Sequence, residues 1–286
     1  MVEQYNSEAT KRCERVLGTL MRGIGQPWRE KVCLVGGLVP LYLVRGDGYA
    51  QPAHVGSTDV DVALRLAVEA EDLGAYTTLE TNLKKNGFSR VDGSSWRWSA
   101  TVDGDVVVLE LLGDRENVEP GTVFRPKVTP PAGAGGVGLL CVRGLELAFR
   151  DSITITRDLQ LLDGAYSEVD FRVANLAPFV ALKADAYLDR RKPKDAYDLV
   201  YVLRWWKGGP EAAAAAVAAS PVASDPFLAS AVSRVAGDFS EANRVGAVDY
   251  ASLAATGGTA VEMAQARNEA VLVIQQFMGK LALPSR

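Results

Sequence analysis

The chain has 286 residues, 48% of them apolar and 23% charged, with 31 Lys plus Arg against 35 Asp plus Glu for a formal net charge of −4. Those values exclude wholesale disorder and suit a two-lobed globular protein; a nucleic-acid substrate would depend on a local basic patch, not on overall charge. A polar stretch at residues 1–11 and the want of any apolar run of membrane-spanning length lead us to expect a cytoplasmic protein with no membrane association.

In chain order, Ser7 is placed to cap a first helix, with Val16, Leu17, Leu20, Met21 and Ile24 at helical spacing. Residues 31–35 form a short apolar strand candidate, broken by Gly36-Gly37. A short helix over 38–44 carries Pro40 in its first turn, and 45–56 is a Gly/Pro-containing loop. A strand is expected over 58–66 and a helix over 69–86, ended by Gly87. Strand candidates follow at 88–91, 95–102 and 105–112, the last two joined by an Asp103-Gly104 hairpin turn. Residues 113–138, dense in Gly and Pro, read as a long surface loop, and two or three more strands fit between 139 and 173. Beyond that the pattern is helical: 175–190, 194–206, 211–219, 225–235 and 261–281. Pro193 and Gly208-Gly209-Pro210 separate the first three. The alanine-rich 212–219 reads as helix, since Ala is the best helix former. We therefore expect an α+β domain with a mixed sheet over 1–173 and a mainly helical C-terminal lobe over 174–286.

Residue counts narrow the chemistry. Cys13, Cys33 and Cys141 are odd in number and far apart, with no CxxC, so they read as buried free thiols and not as a zinc site or disulfide framework. One histidine, His54, rules out multi-histidine sites, and its own plainest reading is a loop residue. Gly133–Gly138 is glycine-rich, but no GxGxxG follows a strand there and Pro130-Pro131 precedes it, which removes a dinucleotide site. Trp205-Trp206 reads as packing at a helix end rather than as a base-stacking platform.

The most informative segment is Gly56-Ser57-Thr58-Asp59-Val60-Asp61-Val62-Ala63-Leu64. Strand side chains alternate, so Asp59, Asp61 and Ala63 share one face while Val60, Val62 and Leu64 pack the other. Two carboxylates roughly 7 Å apart at their backbones repel unless a divalent cation lies between them, and Mg²⁺ favours one or two carboxylates plus phosphate oxygens. A solvated acidic face is the plain alternative for this tripeptide alone. The Gly36-Gly37 turn upstream, opening a helix, adds backbone amides that can approach phosphate, and the Ser57 hydroxyl is a further donor. Glu110 is a single acid in the apolar run 106–111 and needs a partner or a metal, whereas Asp105 and Asp114 lie at strand ends and read as turn residues.

The second informative segment is 179–199. Lys183 sits among apolar residues, where an ammonium either snorkels to water or meets an anion. Arg190, Arg191, Lys192 and Lys194 are the densest basic run; Asp195 lies at a helix start and Asp198 one turn on. A solvated helical hairpin turn is the bland reading of that run.

The residues Gly36, Gly37, Gly56, Ser57, Asp59 and Asp61 resemble the signature of the polymerase-β nucleotidyltransferase superfamily. Together with Lys183, the basic turn and Lys194-Asp195-x-x-Asp198-Leu199, they resemble AbiEii/MenT-like nucleotidyltransferase toxins of type IV toxin–antitoxin and abortive-infection systems. The resemblance covers about 33–66 and 178–203. It implies a polymerase-β-type fold, Mg²⁺ (or Mn²⁺) on Asp59 and Asp61, and an NTP whose triphosphate meets Gly36, Gly37, Ser57 and Lys183. Asp198 is the late functional aspartate, with Asp195 competing, and Glu110, in place of the commoner Asp, is the third carboxylate. Glu110 or Asp198 would act as base or complete the metal shell. Arg190, Arg191 and Lys192 would take the acceptor backbone. The implied reaction moves a nucleoside monophosphate to an acceptor, expected to be the tRNA 3′ end, in a toxin that blocks translation and has a cognate antitoxin. The alternatives are a nucleotidyltransferase modifying a small molecule or protein, and a catalytically inactive binding module.

Overall fold

The computed structural model describes residues 7–26, 28–44, 53–65, 73–115, 118–125 and 136–283, with the side chains of 73–76 left aside. The N-terminal six residues, most of the expected 45–56 loop, the end of the 58–66 strand, the start of the 69–86 helix and much of the 113–138 loop lie outside the described residues. So do Pro130-Pro131 and the start of the glycine-rich run.

Two compact units make up the chain: Met1–Leu38 with Gly56–Ala174, and Val39–Val55 with Asn175–Arg286. A single cut between 173 and 174 does not describe this division, because Val39–Val55 groups with the helical residues. The first unit is α+β. Its helix α1 (Ser7–Gly23) buries Val16, Leu17, Leu20 and Met21 at the expected spacing. The strands are β1 (Val32–Val35), β2 (Asp59–Leu64), β3 (Ser89–Arg90), β4 (Arg97–Val102), β5 (Asp105–Gly113), β6 (Val123–Phe124), β7 (Leu139–Cys141), β8 (Ser152–Gln160) and β9 (Tyr166–Ala174). They form one mixed sheet in the order β3-β4-β5-β2-β1-β9-β8, with β7 paired to the end of β5 and β6 to β7. β1 is flanked by β2 and β9 and is buried along its whole length, which is why it reads as an unbroken apolar run. The β1–β2 pair is antiparallel; β2 runs parallel to β5 and β1 to β9.

The Asp103-Gly104 turn forms as expected. Val102 pairs with Asp105 and both turn residues have positive φ, 53° and 89°, the geometry a two-residue hairpin of right-twisted strands requires. Helix α3 (Leu73–Lys85) also belongs to this unit, as does the one-turn helix α4 (Leu147–Arg150). Two elements here were not anticipated. β6 lies inside the expected 113–138 loop and is too short to show an alternation, and α4 is a single turn with no side-chain cap to announce it.

The second unit contains α2 (Pro40–Leu43), α5 (Leu176–Arg190), α6 (Pro193–Trp205), α7 (Gly209–Ala218), α8 (Pro226–Ala236), α9 (Val245–Ala254) and α10 (Ala260–Lys280). Caps fix several starts: Asn175 accepts from the Leu176 N–H, Asp225 from Phe227, and Thr259 forms a capping box with Glu262. Arg191 ends α5 in the left-handed region at φ 52°, and Lys192-Pro193 opens α6 at once, so the two helices meet at a tight turn. α9 was not anticipated. Gly246 weakens its helical signal, yet a Cβ there would lie 2.7 Å from the Phe239 ring, so packing demands the glycine that propensity disfavours. The alanine-rich segment is helical, with Ala213, Ala214 and Val217 buried. Among the described residues no helix is long and apolar enough to cross a membrane.

Candidate active site

On β2 the expected alternation is present: Val60, Val62 and Leu64 are buried and Asp59 and Asp61 half-buried. Strand register sets Asp61 beside Val35 on one side and Glu110 on the other, and Glu110 beside Arg97 of β4. Asp61, Glu110 and Arg97 thus form a row across one face of the sheet.

Gly36 follows β1 directly, at φ +74°. A Cβ built on it would lie 1.9 Å from Asp61 Oδ2 and 2.6 Å from the carboxyl carbon. The Asp61 carboxylate therefore occupies the space of the missing side chain, against bare backbone. Ser57 is buried, its N–H donating to Thr10 Oγ1 and its carbonyl accepting from the Cys13 thiol. Its Oγ lies 3.0 Å from Asp59 Oδ1 and 3.1 Å from the Asp59 carbonyl, so the hydroxyl expected at phosphate is engaged by Asp59 here. The preceding Gly56 has φ +100°, a conformation open to glycine alone in practice. Burial raises the Cys13 thiol pKa, and the charges of Asp59 and then Asp61 raise it further, as expected for a thiol close beneath two carboxylates. Cys13, Cys33 and Cys141 are all buried and free.

Glu110 has found a partner: Arg97 Nε lies 2.9 Å from its Oε1, and the same guanidinium lies 4.3 Å from the centre of the Trp96 ring. Among the described residues no group of three or more His, Cys, Asp and Glu side chains forms a metal cluster. The donor set is the pair Asp59 and Asp61, with Glu110 held to one side by Arg97. Two carboxylates beside a glycine turn fit a hard divalent ion that completes its shell with phosphate oxygens and water.

In the helical unit, Lys183 of α5 and Asp195 and Asp198 of α6 come together, all buried. Lys183 Nζ lies 2.9 Å from Asp195 Oδ1 and 2.8 Å from Asp198 Oδ2. Arg190 forks onto both oxygens of Asp195, at 2.6 and 2.8 Å. Lys194, also buried, contacts Asp198 Oδ1 from one turn earlier, and His54 Nε2 lies 2.8 Å from the same oxygen. The His54 ring packs edge-on against Tyr201, at 4.8 Å, and tilted on Tyr197. Burial alone would raise the pKa of Asp198, but Lys183, Lys194 and the His54 hydrogen bond outweigh it and hold it well below the carboxylate range. Lys183 behaves as the mirror case: burial lowers it, and Asp195 and Asp198 more than reverse that. Burial lowers the pKa of His54, with Lys194 and Lys183 adding to the effect against the pull of Asp198.

His54 and Lys194 are the members of this cluster that were assigned no site role from sequence, although Lys194 lies in the basic run and the motif noted above. Lys194 stands at i−4 to Asp198, a spacing visible in the sequence. His54 is the loop residue expected, but nothing local announces Asp198, 144 positions away, as its partner. Of the basic run, Arg190 is held by Asp195, and Arg191 is paired with Asp238 and lies over the Tyr187 ring. Lys192 is exposed. Trp205 and Trp206 are half-buried at the end of α6, with Arg204 over the Trp205 ring.

The family model described as "Nucleotidyl transferase AbiEii toxin, Type IV TA system" matches residues 20–256, which span both units. The chain belongs to this family. It is accordingly a nucleotidyltransferase, and the AbiEii assignment accounts for the α+β unit with its mixed sheet followed by helices. No curated protein matches the sequence. Among solved structures, a STING-associated CdnE c-di-GMP synthase from Capnocytophaga granulosa aligns over 96% of this chain and 81% of that one. At 8% identity and a TM-score of 0.28 it adds no argument to the AbiEii assignment.

Proposed function

We propose that this AbiEii-family enzyme moves a nucleoside monophosphate from an NTP to the 3′ end of tRNA, using Mg²⁺ (or Mn²⁺) at Asp59 and Asp61. In this reading it is a cytoplasmic toxin that blocks translation and is restrained by a cognate antitoxin. The observation that carries the metal assignment is the seating of Asp61 against Gly36, where any side chain would collide with the carboxylate. Asp59 precedes Asp61 on the same strand face, and two carboxylates so placed favour a cation bound between them.

The reaction is an exchange at the α-phosphorus. The acceptor hydroxyl oxygen forms the new P–O bond, the bond to the β-phosphate bridge breaks, pyrophosphate leaves, and the hydroxyl proton passes to solvent or a carboxylate. The divalent ion supplies charge neutralisation at the triphosphate and the entering oxygen. Asp59 and Asp61 orient that ion, Ser57 fixes the Asp59 carboxylate, and the Gly36-Gly37 amides approach phosphate. Glu110, one strand from Asp61, is the candidate third acid and would have to share itself with Arg97. The triphosphate contact of Lys183 is carried over from the family resemblance; within the helical unit its ammonium is buried between Asp195 and Asp198. Positioning and electrostatics account for most of such catalysis.

The test incubates the protein with each labelled NTP, total RNA and Mg²⁺. A labelled tRNA band is expected from wild type and none from Asp61→Asn or with chelator. Label confined to a protein or small-molecule fraction would overturn the acceptor assignment, and full activity in Asp61→Asn would overturn the metal assignment.

A further inference from the structure

A cleft of about 330 Å³ opens beside the β3–β4 turn of the first unit. It is lined by Asp92, Ser94, Ser95, Trp96, Arg97 and Arg125 among others. Its volume falls at the small end of ligand sites, the size of one nucleotide unit rather than of a duplex. The chemistry suits single-strand recognition: an indole with the Arg97 guanidinium over one face and the other left for a base, and two guanidiniums for phosphate.

Two features make this more than a surface dent. Arg97 is the end of the row Asp61–Glu110–Arg97, so the cleft begins about 10 Å along the sheet face from the metal-binding carboxylate proposed above, two strand spacings away. Arg125 is also pre-positioned. Its Nε donates to Ser95 Oγ at 3.2 Å, which holds the guanidinium at the cleft. Arg97 gives its Nε to Glu110, which leaves the terminal nitrogens of a five-donor fork. Arg190 and Arg191, the basic run singled out by sequence, instead have their charge taken up locally by Asp195 and Asp238. Asp92 is the one acid on the rim and is exposed.

We infer that this cleft seats the terminal nucleotide of a single-stranded RNA acceptor, with a base against Trp96 and a phosphate between Arg97 and Arg125. The inference rests on the RNA-acceptor reading above and names where on the chain that acceptor binds. The row then runs from acceptor strand to reacting phosphorus along one sheet face.

Binding of a short fluorescein-labelled single-stranded oligoribonucleotide to the full chain, by anisotropy across a salt series, tests it. Trp96→Ala is expected to weaken binding about tenfold or more. Arg125→Glu, at an exposed position, is expected to weaken it and to lower the salt slope by about 0.7. Both variants should keep the wild-type rise in melting temperature with Mg²⁺ and NTP. If wild type labels and binds RNA while both variants bind it as wild type does, the cleft assignment is overturned and the RNA reading stands. If wild type neither labels nor binds RNA, the reading and this inference fall together. An Arg190→Ala, Arg191→Ala double variant that alone loses binding would return the acceptor to the helical unit and also overturn the cleft.

Discussion

Gly36→Ala removes nothing and adds one methyl group, yet it should act as an active-site mutation. The added Cβ would lie 1.9 Å from Asp61 Oδ2, more than 1 Å inside the 3.0 Å limit that real Cβ atoms respect. The Asp61 carboxyl carbon at 2.6 Å and its Cβ at 2.7 Å also fall inside that limit, so the whole Asp61 side chain must give way, and its carboxylate by about 1 Å. A displacement of that size at a reacting centre is worth about 100-fold in rate. The φ of +74° adds a separate penalty of about 1–2 kcal/mol for any L side chain. Gly104→Ala separates the two effects. Gly104 has φ +89° with open space around its Cβ position, so it carries the backbone penalty without a collision. Urea unfolding should find both variants less stable, Gly36→Ala at least as much as Gly104→Ala. Labelled-NTP incorporation should find Gly104→Ala near wild type and Gly36→Ala down about 100-fold or more. Equal incorporation by the two variants would refute the claim that the Gly36–Asp61 contact seats the catalytic carboxylate.

Other expectations follow from the same geometry. Asp61→Asn should abolish transfer yet leave the metal-free protein as stable as wild type or more so, because it removes repulsion between Asp59 and Asp61; differential scanning with and without Mg²⁺ checks this. Lys183→Met leaves Asp195 and Asp198 buried with less compensation and should destabilise the helical unit by about 3–5 kcal/mol, read by urea unfolding. His54, the single histidine, has a folded-state pKa below its unfolded value because of burial. The unfolded chain therefore takes up its proton first, and stability contributed by neutral His54 is present above about pH 6.5 and lost as pH falls below it. Unfolding at pH 7 and pH 5 should show a loss in wild type that His54→Gln reduces. Below the ordinary carboxylate range, protonation of Asp195 and Asp198, both with lowered pKa, should bring a second, steeper loss.

Much of this was legible from local pattern, and what was not depends on contacts between distant positions. The Val/Asp alternation on β2, the glycine turn, the Asp103-Gly104 hairpin and the change from strands to helices after residue 174 are local features, readable from periodicity and turn chemistry. The Gly36–Asp61 contact is not local: it follows from the antiparallel register that sets Val35 opposite Asp61. His54 is still less accessible, because its partner is fixed only once α6 packs within the helical unit. α9 was hidden by a glycine that packing against Phe239 requires.

Glu110 marks the boundary between those two classes. As one acid in an apolar strand it had to have a partner, and the sequence already held the means of finding it. A two-residue turn at Asp103-Gly104 makes Val102 face Asp105, and counting outward from there brings Arg97 opposite Glu110. The hairpin thus supplies the compensating charge from within the same thirteen-residue separation, without any long-range fold. That changes what Glu110 can be. A carboxylate with its own guanidinium is compensated without a metal. The pairing leaves Glu110 holding Arg97, whose guanidinium lies over the Trp96 ring, at the end of the row.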